Sequence, residues 1–272
     1  MKKIFSLALI VILAFTCVAY ADLRIGMLTQ SAVSEEDFNS SIIQQDFQWK
    51  KWKGDHNQKN VCVFYDSLPQ LLLALQSDKV DEISIPEDVA KYLVAINPDY
   101  TITCERVTSG MDFVFGFMRN DKGFELQEKF NEAIARLKGN RKLEDLKEKY
   151  IRAENFDKLP PIKFSNFEGA PVVTIAVTGD IPPIDFVSPE GEAAGFNAAL
   201  LAEIGRSLKI NIKLVNITAG ARTISLTSGE ADVVFWYTVM SDSPTQSDIP
   251  EDVIISDPYH SCTSTLHVRK KN

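Results

Sequence analysis

Val173-Thr174-Ile175-Ala176-Val177, then Gly195 to Leu208, Ile210–Ile217, Arg222–Ser228 and Ala231–Trp236: this succession decides the fold. It reads strand, helix, strand, helix, strand, and strands alternating with helices of this length predict a parallel sheet. The N-terminal half follows the same plan. Leu23–Leu28, Val61–Tyr65 and Val80–Ile85 are short apolar runs. Between the second and third, Ser67 caps a helix whose first turn tolerates Pro69, and Pro86 opens another from Glu87 to Ala95. Leu75-x-Ser77-x-x-x-Asp81 recurs as Leu226-x-Ser228-x-x-x-Asp232, an offset of 151. Leu23-Arg24-Ile25-Gly26-Met27 aligns with Val173–Val177 at an offset of 150. Two matches at nearly one offset predict two related α/β lobes with a ligand cleft between them. The Pro-rich stretch from Leu159 to Pro171 reads as the linker.

Composition narrows the class. The 272 residues are 45% hydrophobic and 24% charged, with 13 Gly and 12 Pro, which excludes a disordered, collagenous or disulfide-dense chain. A net charge of -8 with scattered Lys and Arg argues against nucleic acid as a partner. Lys2 and Lys3, the apolar run Ile4–Ala14 and Ala19-Tyr20-Ala21 predict a signal peptide over 1–21, cleaved after Ala21 for export to the periplasm. Cys17 offers a lipoprotein alternative, but Phe15 and Thr16 precede it where small residues are preferred. Of the later cysteines, Cys62 and Cys104 lie in strand-like runs and either pair or stay as buried thiols; Cys262 is the third.

A search for catalysis returns little. His56, His260 and His267 form no His-x-x-x-His pair, and there is no Cys-x-x-Cys, Gly-x-Ser-x-Gly or phosphate-binding Gly-rich loop. Glu35-Glu36 and Glu87-Asp88 open helices, where carboxylates suit the dipole. The expectation is a binder without catalytic residue, cofactor or metal.

Residues 172–268 resemble the extracellular solute-binding proteins of family 3, the polar amino-acid receptors of ABC importers. The residues that carry the likeness are Gly179-Asp180-Ile181-Pro182-Pro183-Ile184-Asp185-Phe186, Gly195-Phe196-Asn197, Leu226 to Val234 and Ser256-Asp257-Pro258-Tyr259. The first half is similar to the rest of that family. Leu23–Ser31 and Leu75–Ala90 look like its second lobe, and Val114–Arg119, Glu125–Leu137 and Leu143–Tyr150 like its final strand and helices. The resemblance implies a two-lobed α/β fold of the periplasmic-binding-protein type (type II), each lobe a mainly parallel sheet flanked by helices, in circularly permuted order. The implied division is a signal peptide over 1–21, one lobe over 22–115 and a crossover strand with two helices over 116–156. A linker over 157–171 and the other lobe over 172–272 complete it. Helices 124–150 are then expected to pack on the lobe formed by 172–260.

The resemblance also implies a monomer that captures a small polar solute, an amino acid or related compound, and delivers it to an ABC permease. Its alternatives are a dehydratase-like enzyme, with Glu87 or His260 as acid or base, and a ligand-sensing partner of a membrane receptor. The ligand-binding residues it implies from the second half are Thr178, Asp180, Ile181, Ile184, Phe186, Ala219 and Ser241. From the first half they are Thr29, Ser31 and Glu87, the last alternating with Asp88. The family's aromatic wall is missing at Ile181 and Ala219, and its carboxylate-gripping arginine is missing near Pro244. Arg222, read as a surface residue, is the substitute within reach. Carboxyl ends of parallel strands face the ligand crevice, so Trp236 or Tyr237 is expected to supply a new wall.

Overall fold

A computed structural model describes residues 22–30, 33–44, 60–104, 111–153, 159, 162–188, 192–239, 249–262 and 265–271. The expected leader, Ser31, Ser241 and residues 157, 158, 160 and 161 of the linker lie outside the described residues.

Two sheets are built on one plan. In the first, β1 (Leu23–Leu28) pairs in parallel with β2 (Asn60–Tyr65) and β3 (Glu82–Pro86). In the second, β6 (Val172–Val177) pairs in parallel with β10 (Asn211–Asn216) and β11 (Val233–Val239). The repeated aspartates explain the repeat. Arg24 N–H donates to Asp81 Oδ2 at 2.8 Å, and Asp81 N–H returns a bond to Arg24 O at 2.9 Å. Thr174 N–H donates to Asp232 Oδ2 at 2.9 Å, and Asp232 N–H returns to Thr174 O at 2.9 Å. Each aspartate thus ties the start of one strand to the start of its neighbour, satisfying an edge N–H that the ladder leaves over.

Helices cover these sheets: α1 (Glu35–Gln44), α2 (Leu68–Gln76) and α3 (Glu87–Ile96) in the first half. Ser67 caps α2, accepting from Gln70 N–H at 3.4 Å, and Leu68, Leu71, Ala74 and Leu75 form its buried stripe. Then come α4 (Asp121–Gly139) and α5 (Lys142–Tyr150), and in the second half α6 (Gly195–Leu208) and α7 (Arg222–Thr227).

Each sheet is completed by an antiparallel strand from elsewhere in the chain. The first takes β14 (Thr265–Lys270) between β3 and β4 (Tyr100–Cys104), giving the order β2-β1-β3-β14-β4. The second takes β5 (Met111–Met118) between β11 and β12 (Val253–Ile255), and β13 (His260–Cys262) also pairs with β5. The chain therefore crosses between lobes after β4 and again after β13. The expected boundaries shift accordingly: residues 111–115 stand in the sheet of the second half, and 265–270 in the sheet of the first. A crossover strand was expected for the first exchange; that of β14 went unread, because strand patterns show burial but not which sheet supplies the partner. Helix α4 packs on β5 and α6, with Phe130, Ala133, Ile134 and Leu137 buried.

Candidate functional site

In both sheets the carboxyl ends of the parallel strands lead to the seam between the lobes, the position where α/β ligand sites form. The first-half side is the turn after β1 and the loop into α2. Thr29 Oγ1 donates to Asp66 Oδ1 at 2.8 Å. The second-half side is β7 (Asp180–Ile181) and the 3-10 turn Ala219–Ala221 leading into α7. Among the described residues, two hydrogen bonds cross the seam at this turn: Leu68 N–H donates to Asp180 Oδ2 at 2.9 Å, and Ala219 N–H donates to Asp66 O at 3.2 Å. Gly220 lies close by; a Cβ there would stand 3.5 Å from Asp66 Oδ1 and 3.6 Å from Thr29 Cγ2. The Asp180 carboxylate thus sits on the first turn of α2, where unsatisfied N–H groups favour negative charge.

A second acid holds the turn that precedes Asp180. Asp185, on β8 (Asp185–Val187), is 4% exposed and accepts from Thr178 N–H at 3.0 Å, Gly179 N–H at 3.1 Å and Thr178 Oγ1 at 3.3 Å. Burial nevertheless pushes its carboxyl up to about 6, with the nearby Asp180 charge adding to the rise. Asp180 is also raised by burial, against bonds from Leu68 and Thr178 and the positive charge of Arg222. The helix behind this turn starts at Gly195 with φ +87, where a Cβ would meet Pro183 O at 2.7 Å, so glycine is required.

The sign for Asp185 is definite. An acid whose folded-state pKa is raised holds its proton more tightly folded than unfolded, so its ionisation destabilises the fold as pH rises through about 6. Lowering pH from 7 toward 4.5 is expected to recover on the order of 2–3 kcal/mol from this group, at about 1.4 kcal/mol per unit. Urea unfolding across that range checks it: the parent's stability relative to Asp185→Asn should increase as pH falls. A difference that stays flat refutes the assignment.

The structure disperses the other expected site residues. Thr178, Asp180, Ala219 and Thr29 meet at the seam. Phe186 is half-buried, whereas Ile181 and Ile184 belong to the main core. Trp236 is fully buried, but on the α7 face of its sheet, packed with Val114, Leu226 and Val253 rather than standing as an open wall. The Tyr237 side chain lies outside the described residues. Arg222 is corrected outright: at 1% exposure it is a buried cation. Its guanidinium lies 5.8 Å from the Trp236 ring centroid, and Nη1 donates to Ala219 O at 3.4 Å. Glu87 forms an ion pair one turn along α3 with Lys91, while Asp88 turns inward to β13. Cys62 and Cys262 are buried free thiols. Asp66 escaped the sequence reading although its position, directly after a parallel strand, was the available signal.

Residues 173–272 match the family model of the bacterial extracellular solute-binding proteins, family 3. No curated protein sequence matches the chain. Among solved structures, the chain is similar to the ligand-binding component of an ABC-type import system from Staphylococcus aureus with zinc bound. Identity there is 11%, over 92% of this chain and 66% of that one, with a TM-score of 0.47. The periplasmic aliphatic sulphonate-binding protein of Escherichia coli follows at 15% identity over 92% of this chain and 65% of that one, TM-score 0.37. A methionine-binding protein is 10% identical over 92% and 83%, TM-score 0.43. The chain spans just under two thirds of the length of the first two. It is a two-lobed α/β protein whose residues 173–272 match that family's model. No helix among the described residues is long and apolar enough to cross a membrane.

Proposed function

We propose that this protein works in the periplasm, capturing a small polar solute, an amino acid or related compound, at the lobe seam and delivering it to an ABC importer. The observation that carries this reading is the pair of hydrogen bonds across the seam, Asp180 to the α2 N-terminus and Ala219 to Asp66. They bring the strand ends of both lobes to one place, and side chains of both signs stand there. Asp66, Asp180 and Thr29 offer acceptors for an amine, and the first turn of α2 offers donors for an anionic group when Asp180 swings away. Buried Arg222 beside this turn supplies the positive field that the absent family arginine would have given. Closure of one lobe on the other would trap the solute. The packing of α4 and α5 on β5 and α6, ahead of the linker in sequence, supports a permuted lobe order.

A thermal-shift screen of amino acids, short peptides and organic acids tests the reading. A ligand at 100-fold its Kd adds about 2.7 kcal/mol of stability. At least one amine-bearing class should stabilise the parent, and Asp180→Asn should weaken its binding tenfold or more. No stabilisation by any class, or turnover of a bound compound detected by mass spectrometry, overturns it.

A further inference from the structure

We propose that Asp88, His260 and Cys262 form a binding site for a borderline divalent transition-metal ion such as Zn²⁺, clamping the two lobes where the chain crosses from β13 to β14. This does not depend on the solute reading. Asp88 stands in the first turn of α3 in one lobe; His260 and Cys262 are alternate residues of β13 in the other and share a face. Their donor atoms converge. His260 Nε2 lies 2.6 Å from Asp88 Oδ2, Cys262 Sγ lies 3.1 Å from the same oxygen, and Sγ and Nε2 are 3.8 Å apart. Tetrahedral coordination with bonds of about 2.0–2.3 Å places ligand atoms about 3.3–3.6 Å apart, so small side-chain shifts admit an ion. His260 is 7% exposed and Cys262 3%, and His260 Nδ1 is buried without a hydrogen-bond partner among the described residues.

The order of contacts separates a chelating cluster from a nucleophile. A catalytic Cys–His–Asp relay needs the imidazole between thiol and carboxylate; here the carboxylate is the shared partner. Burial and the Asp88 charge also hold the thiol well above its usual range, so it is no ready thiolate. A metal changes that. It takes the Cys262 sulfur as thiolate, releasing one proton, and the Nε2 lone pair of neutral His260, whose proton moves to Nδ1. Thiolate plus carboxylate neutralise a divalent ion in a site walled by Phe113 and Phe196, whose rings lie 5.2 and 5.6 Å from the imidazole. The nearby charges are matched: Lys91 pairs with Glu87, and Lys147 lies 3.8 Å from Glu144. The mixed sulfur, nitrogen and oxygen set favours Zn²⁺ or Co²⁺ over Mg²⁺ or Ca²⁺.

The test strips the full chain with a chelator under reductant and titrates it with Co²⁺ and Zn²⁺. The expected result is one equivalent of Co²⁺ with a thiolate charge-transfer band, displaced by Zn²⁺, and a higher thermal midpoint. Cys262→Ser should abolish the band, His260→Gln and Asp88→Asn should each weaken uptake tenfold or more, and Cys62→Ser should change neither. If Cys262→Ser does not fold, the Asp88→Asn and His260→Gln titrations decide. No stoichiometric uptake by the parent, or undiminished uptake by the folded variants, overturns the site.

Discussion

Phe130→Ala is expected to cost about 3–5 kcal/mol, the range for emptying a fully buried aromatic position. Phe130 is 0% exposed, and its ring meets Phe115 edge-on at 5.3 Å and Phe117 at 5.4 Å. Those two rings project from one face of β5, because alternate strand residues share a face. Ala133, Ile134 and Leu137 continue the same helical stripe, so α4 cannot slide to refill the space without losing its other contacts. The edge-to-face geometry adds about 0.5–1.5 kcal/mol for each ring pair beyond area. Urea unfolding followed by circular dichroism measures the loss, and Phe130→Leu should recover a good part of it. A loss below about 1 kcal/mol for the alanine variant would mean that α4 is not seated on β5.

How much of this was legible beforehand can be argued from particular residues. Helix α6 was readable to its ends, because Gly195 and the apolar run to Leu208 are local signals. The same holds for β1 and for the Ser67 cap. The crossing of β5 was expected from the resemblance, but that of β14 was not readable, since Leu266 and Val268 would be buried by either sheet. Arg222 misled for a related reason. The head of a short helix is ordinarily exposed, and only the position of Trp236 on the adjoining sheet face makes it an interior place. The Asp88 cluster joins residues 172 and 174 positions apart. Its local half was visible nonetheless: His260-x-Cys262 on a strand points both donors one way.

His267 supplies the second large effect. Its Nδ1 lies 2.8 Å from Glu82 Oε2, and the two side chains are 1% and 2% exposed. Glu82 belongs to β3 and His267 to β14, which run antiparallel side by side, so the pair ties the crossing C-terminal strand into the first sheet. The Glu82 carboxyl group has been taken out of water, and that ring nitrogen is a partner that replaces water for it. His267→Ala is therefore expected to cost about 3–5 kcal/mol, the penalty of leaving one member of a buried pair without the other. The loss should be local before it is global, with amide protection falling first along β14 and its neighbour β4. The control is Glu82→Met combined with His267→Leu: replacing both polar groups by apolar ones of similar size leaves neither without the other, and this variant should be at least 2 kcal/mol more stable than His267→Ala. Were the double variant no better than the single one, the strand would be held by packing around Leu266 and Val268, and the buried pair would contribute nothing of its own.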